Sequence, residues 1–324
     1  MKKIKQDIVI QLPKKQLNLF GYEKYFNLFI KMFESKKLPN TIMLSGPKGT
    51  GKSTFAFHFT NYLLSKNEKE NYKLDDFTIN ESNSSYKLVN AKAHPNFLLI
   101  ENSPLENDIK IEKIRSLINF LSKSTYLQNL KIVIVDNVEH LNINSANALL
   151  KAIEEPNENT FFFLIHDNSQ KILETIKSRC IKFNFFHNFE QKKQIFKNLA
   201  LQYNLQSYID DYHIDDLYFD SPGNLLNYLL ILKGQNLEKT DNLLKSLSTF
   251  IDIYKKEKKP EILYYIRLFI SKFYHKICKA NLNLSSLFIN QSKIFKQIHD
   301  MKKYNLNEKS VLNNIEDLLK NETK

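Results

Sequence analysis

Between residues 41 and 185 the chain alternates short, almost continuous apolar runs with segments whose apolar residues recur every three or four positions. The runs are Thr41–Ser45, Asn96–Glu101, Lys131–Asp136, Phe161–His166 and Cys180–Phe185. Runs of this kind are predicted to be strands covered on both faces. Between them, Ile111, Ile114, Leu117, Ile118 and Leu121 fall on one face of a predicted helix over 111–121. Ala148, Leu149, Ala152 and Ile153 do the same over 145–155, ahead of the helix-ending Pro156. Strands separated by helices predict a parallel sheet with crossover helices. Residues 65–85 are polar and weakly periodic, and are expected to be a surface excursion. After about Phe186 the strand signals fade. Helices are expected over 191–203, 222–232, 237–254 and 261–280, with a solvated break at 255–260 and a polar end, 313–324, that frays.

A chain of 324 residues has room for two or three domains, and an apolar fraction of 42% is ordinary for a folded one. No apolar stretch approaches the ~20 residues needed to span a bilayer, and no apolar core follows the basic N-terminus. A cytoplasmic protein is therefore expected. Cys180 and Cys278 are the only cysteines and are far apart, so neither a disulfide framework nor a cysteine zinc site is expected. The net charge of +12 leaves both a nucleic-acid face and a merely solvated lysine surface open. Only Arg115, Arg179 and Arg267 are arginines, so each needs a closer reading.

The strongest chemical signal is Gly46-Pro47-Lys48-Gly49-Thr50-Gly51-Lys52-Ser53-Thr54, a phosphate-binding loop between a predicted strand and a predicted helix. Three of the chain's six glycines lie in it. Glycines let successive N–H groups curl inward toward phosphate oxygens, and the following helix adds its positive end. Lys52 can reach the outer phosphates and the Ser53 hydroxyl can ligate Mg2+, with Asp136 closing the strand 131–136 as a second Mg2+-associated group. The cofactor expected is ATP or ADP with Mg2+. Asn137 follows Asp136, and a neutral amide can orient water but cannot take its proton. Glu139 is close in sequence but out of phase. Binding is expected, and independent hydrolysis is not.

Three stretches, LPNTIMLSGPKGTGKST, KIVIVDNVEHLNINSANALLKAIEEP and FFFLIHDNSQKILETIKSRC, together resemble the bacterial DNA polymerase III clamp-loader subunits, delta-prime with its relatives gamma and tau. The resemblance spans about Leu38–Cys180. It implies an α/β AAA+ fold: a P-loop domain with a parallel sheet and helices on both faces over 1–185, a small helical lid over 186–234 and an all-α collar over 235–324. It also implies that Ser178-Arg179-Cys180 offers Arg179 as an arginine finger to ATP on an adjacent subunit. Several positions depart from the ATPase members: Asn137, His166 and Asp167 after the 161–165 strand, Asn224 in Ser221-Pro222-Gly223-Asn224, and the missing zinc module. Asp167 would repel a γ-phosphate unless it points away. These departures resemble the delta-prime branch, a partner that lends an arginine. The implied partners are gamma or tau and delta subunits, the sliding clamp, and primer-template DNA reached through the complex. Two alternatives remain at this point: an active gamma- or tau-like clamp-loader ATPase, and a DNA-binding adaptor that keeps its P-loop for structure.

Overall fold

The computed structural model describes residues 11–102, 108–123, 130–157, 159–206, 220–234, 243–258, 260–280 and 284–322. Five strands form one parallel sheet: β1 (Thr41–Gly46), β2 (Phe97–Ile100), β3 (Lys131–Val135), β4 (Thr160–Asp167) and β5 (Ile181–Asn184), in the order β2-β3-β4-β1-β5. All five predicted strands are present. β1, which delivers the glycine loop, lies between β4 and β5. Its last residue, Gly46, pairs with Asp167, while Ile181 at the start of β5 pairs with Ile42 near the start of β1.

Strand periodicity sorts the apolar residues into two layers. Ile42, Leu44, Ile132, Ile134, Phe161, Phe163 and Ile165 face one core, against α1 (Glu23–Glu34), α2 (Lys52–Ser65) and α3 (Ser84–Asn90). Met43, Val133, Val135, Phe162 and Leu164 face the other, against α4 (Ile111–Ser122), α5 (Ile143–Glu154) and α6 (Glu174–Lys177). The first core is dominated by aromatic rings. Phe26 stacks on Tyr72 with centroids 5.2 Å apart, and Phe29, Phe55 and Phe59 pack against one another at 5.2 to 6.3 Å.

The asparagine-rich composition has a local use. Asn83, Asn142, Asn188 and Asn307 each cap a helix by accepting the backbone N–H three residues on. Each such cap stabilises its helix by about 1 kcal/mol.

Residues 65–85 are more than a surface excursion. Tyr72 and Ile79 are buried in the first core, and Lys73 and Thr78 exchange both backbone hydrogen bonds at 3.0 Å. Ile79 N–H then donates to Leu17 O, and Leu19 N–H to Phe77 O. These bonds fix the segment 17–19 against the sheet domain. The two buried apolar side chains of residues 65–85 are too few among polar residues to register as a period.

Contacts divide the chain after Gly234 into two units. The first includes α7 (Phe189–Gln202) and α8 (Pro222–Gly234), which pack on each other. The second contains α9 (Leu243–Glu257), α10 (Pro260–Ala280), α11 (Leu284–Lys303) and α12 (Glu308–Asn321). There α9 packs on α10 and α12, and α11 also packs on both. Residues 237–242 of the expected helix lie outside the described residues. The expected frayed end is instead the ordered helix α12, whose Leu312, Ile315 and Leu319 are fully buried. Tyr254 and Tyr274 donate to Glu308 and Glu322 at its two ends, at 3.0 and 2.9 Å. Among the described residues no helix is long and apolar enough to cross a membrane.

Candidate functional site

The glycine loop leaves β1 at Gly46 and enters α2 at Lys52, as its residue types require. Gly49 and Gly51 have φ of +81° and +87°, a region that side-chain-bearing residues avoid. A Cβ on Gly49 would also lie 2.3 Å from Ser221 Oγ. The loop is braced from beneath at one carbonyl: Thr50 O accepts from the Tyr22 hydroxyl at 2.8 Å and from His187 Nε2 at 3.3 Å.

Lys52 is buried, and its ammonium donates to Gly46 O and Pro47 O, both at 2.7 Å. Burial pulls its pKa down to about 8, partly offset by the nearby carboxylates of Asp167, Glu139 and Asp136. The Ser53 hydroxyl donates to Asp136 Oδ1 at 3.0 Å, so the two expected Mg2+-associated groups do meet. Burial raises the Asp136 carboxyl above its ordinary value, opposed by that hydrogen bond.

A cavity of about 400 Å³ opens over the loop. Lys48, Gly49, Thr50, Gly51, Lys52, Ser53 and Thr54 line it, as do Asp136, Asn137, Asp167 and Asn224. Gly46 and Pro47 shape the loop from outside that lining. Sequence reasoning missed the remaining walls. Leu19 and Phe20 come from the N-terminal segment, and Ile195, Leu199 and Leu226 come from α7 and α8. They supply an apolar slot beside the polar loop. No local spacing announces them, because they converge from three distant parts of the chain.

The departing positions separate into different cases. Asn137 takes φ +57° and ψ +59°, a left-handed conformation that Asn tolerates better than Glu does. His166 does not face the cavity opening. It is buried, with Nε2 donating to Gln170 O at 3.0 Å. That fixes Nδ1 as the acceptor for the Ser45 hydroxyl, also at 3.0 Å. Asn224 lines the cavity and donates through Nδ2 to Asp220 Oδ1 at 3.0 Å. Glu139 is not out of reach: the turn 138–140 carries its Oε2 to within 3.2 Å of the Asp167 amide, which donates to it.

Arg179 lies elsewhere. It precedes β5, which begins opposite Ile42, whereas the chain's own loop begins at the other end of β1. Four residues of strand, roughly 13 Å, separate those two levels. The Arg179 side chain is 37% exposed, pairs with Glu154 of α5 at 2.6 Å, and donates to Thr175 O at 3.1 Å. Next to it, the Cys180 thiol donates to Ile176 O, and burial pushes its pKa up to about 12, so it is a structural thiol.

Residues 21–189, just over half of the chain, match the family model described as DNA polymerase III, delta subunit. The chain belongs to that family. Among its relatives, the DNA polymerase III subunit delta' of Pseudomonas aeruginosa is 32% identical over 140 residues, covering 43% of this chain and 41% of the relative. The match therefore spans less than half of that protein. The delta' subunit of Buchnera aphidicola subsp. Schizaphis graminum is 29% identical over 244 residues, covering 71% of this chain and 72% of the relative. The fold is also that of a DNA polymerase III gamma-subunit-related protein of Thermotoga maritima, which aligns at a TM-score of 0.54 and 18% identity over 92% of this chain and 99% of that one. The fold is thus the expected AAA+ one: a parallel sheet with helices on both faces, followed in sequence by further helices among the described residues.

Proposed function

We propose that this chain serves as a delta-prime-like subunit of the DNA polymerase III clamp loader, working beside gamma or tau and delta subunits to load the sliding clamp on primed DNA. In this reading the chain holds a nucleotide in its own loop and lends Arg179 to the nucleotide of an adjacent subunit. A cytoplasmic location goes with it. The domain limits 1–185, 186–234 and 235–324 are proposed as P-loop domain, lid and collar.

The observation that carries the reading is the placement of Arg179 in a chain of this family. It is exposed, sits at the opposite end of the sheet from its own loop, and follows the short helix α6. An arginine so placed is out of reach of its own phosphates but open to a neighbour's. Its permanent planar charge can offset charge that develops on a transferring phosphoryl group. The pair with Glu154 and the bond to Thr175 O hold the half-exposed side chain. Such half-exposed pairs contribute no more than ~1 kcal/mol, so exchange for a phosphate partner is cheap.

The chain's own site fits nucleotide and Mg2+. Ser53 and Asp136 present two hard oxygen donors 3.0 Å apart. Lys52, the loop amides and the start of α2 suit phosphate oxygens, and the apolar slot suits a base. What the site offers for turnover is weaker, because Asn137 cannot accept a proton from water. The test is reconstitution of the complex with Arg179→Ala. Expected is unaltered assembly with ATP turnover sharply reduced; undiminished turnover removes the arginine-lending role. For the chain's own site, Lys52→Ala is expected to abolish nucleotide binding by the purified chain.

A further inference from the structure

The charges around the cavity differ between its two ends. Lys48 and Lys52 are the cations among the described lining residues. Two carboxylates line the same cavity: Asp136 follows the last residue of β3, and Asp167 is the last residue of the neighbouring β4. The β3–β4 register pairs Val135 with Leu164, so Asp136 stands level with Ile165, two residues before Asp167 and on the same face; Gly46 pairs with Asp167 on β1. Glu139 adds a third carboxylate behind them, with its Oε2 held by the Asp167 amide. Asp167 is itself fixed by a backbone donor, the Ser169 amide bonding its Oδ1 at 3.0 Å.

These acids crowd one side of Lys52. A phosphate cradled by the amides of residues 49–53 lies against the loop and the start of α2, where the field is positive. A phosphate further out would extend past the Lys52 ammonium toward the strand ends, where Asp167, Glu139 and Asp136 all act on that ammonium. The third phosphate of a triphosphate adds about one negative charge there, and Asn224, at the start of α8, offers only a neutral amide already engaged with Asp220.

We infer that this loop takes a nucleoside diphosphate in preference to the triphosphate, with Asp167, backed by Glu139, as the residue that sets the preference. The inference rests on the nucleotide-holding reading above and narrows it. The site is then occupied by diphosphate through a neighbour's hydrolysis cycle and works as a fixed part of the fold.

Binding of Mg2+·ADP and of the slowly hydrolysed Mg2+·ATPγS to the nucleotide-free, full-length chain can be compared by calorimetry. Like charges brought close in a partly buried site, discounted for screening, predict an affinity ratio of about tenfold in favour of ADP. Asp167→Asn is expected to narrow that ratio several-fold. Glu139→Gln, which keeps an acceptor for the Asp167 amide, is expected to narrow it less, and it serves if the first variant does not fold. Equal affinities, tighter ATPγS, or a ratio indifferent to a folded carboxylate variant would overturn the inference while leaving the nucleotide site standing. If neither ligand binds, the nucleotide-holding reading fails with it.

Discussion

The two ends of the sheet in the first unit are built in opposite ways. At the loop end, α2 is buried along nearly its whole length, from Phe55 to Ser65, and the loop itself is braced by Tyr22 and His187. At the other end, Lys177, Ser178 and Arg179 lie on the surface, and β5 is largely exposed along its length. The first region is held by core packing, so its geometry belongs to the single chain. The second is held by a short helix, a half-exposed ion pair and hydrogen bonds back to that helix, so the arginine is open to an outside partner. A site meant for the chain's own ligand and a residue meant for another chain's ligand are expected to differ in this way.

That contrast can be broken most directly at Arg179. Arg179→Ala in the assembled complex is expected to lower ATP turnover by about 10³-fold, or about 4 kcal/mol of barrier. The stability of the single chain should change by no more than ~1 kcal/mol, the limit for such a half-exposed pair. A destabilised monomer would make the arginine a structural residue and dissolve the distinction. At the loop end the signs reverse. Phe55→Ala empties a fully buried position among Tyr22, Phe26, Phe29 and Phe185. It should cost about 3 kcal/mol in denaturant unfolding.

A pH effect sharpens the comparison further. His58 on α2 is fully buried between the Tyr72 hydroxyl and Gln16 O, and burial pulls its pKa from 6.5 down to about 3. Above 6.5 it is neutral in both folded and unfolded chains, so its preference for the neutral form costs nothing. As pH falls below 6.5 the unfolded chain takes up the proton first. Stability should therefore drop by about 1.4 kcal/mol per pH unit until the folded pKa is approached. His58→Gln should flatten that slope in chemical denaturation between pH 6.5 and 4.5. The smallest effect is expected at Glu154. Glu154→Gln removes the partner of Arg179, yet the pair's exposure limits the change in monomer stability to under ~1 kcal/mol. Turnover in the complex should persist.

The sheet and the loop were the legible parts of the sequence, for a physical reason. A strand buried on both faces has to be a nearly pure apolar run, and a loop that turns its amides inward has to place glycine where φ is positive, as at Gly49 and Gly51. Both requirements are local. The walls of the cavity were not legible, since Leu19, Ile195 and Leu226 meet only after the chain has folded. Glu139 is out of phase with Asp136 along an extended chain, but the chain does not stay extended there. The left-handed Asn137 and the tight turn behind it redirect the side chain toward β4. Helix α12 was missed because Leu312, Ile315 and Leu319 form a narrow stripe among Asn, Asp, Glu and Lys, and packing rather than composition makes it a helix.

One contact at the loop has a mechanical meaning. Gly49 and Gly223 meet backbone to backbone: the Gly223 amide donates to Gly49 O at 3.0 Å, and a Cβ on Gly223 would lie 2.7 Å from that same oxygen. Flexible side chains between two elements act like a cushion, turning through rotamers to absorb small shifts. Here no cushion exists. Any change of a few tenths of an ångström in the curl of the loop has to move the first turn of α8 by a similar amount, which makes the pair a rigid linkage.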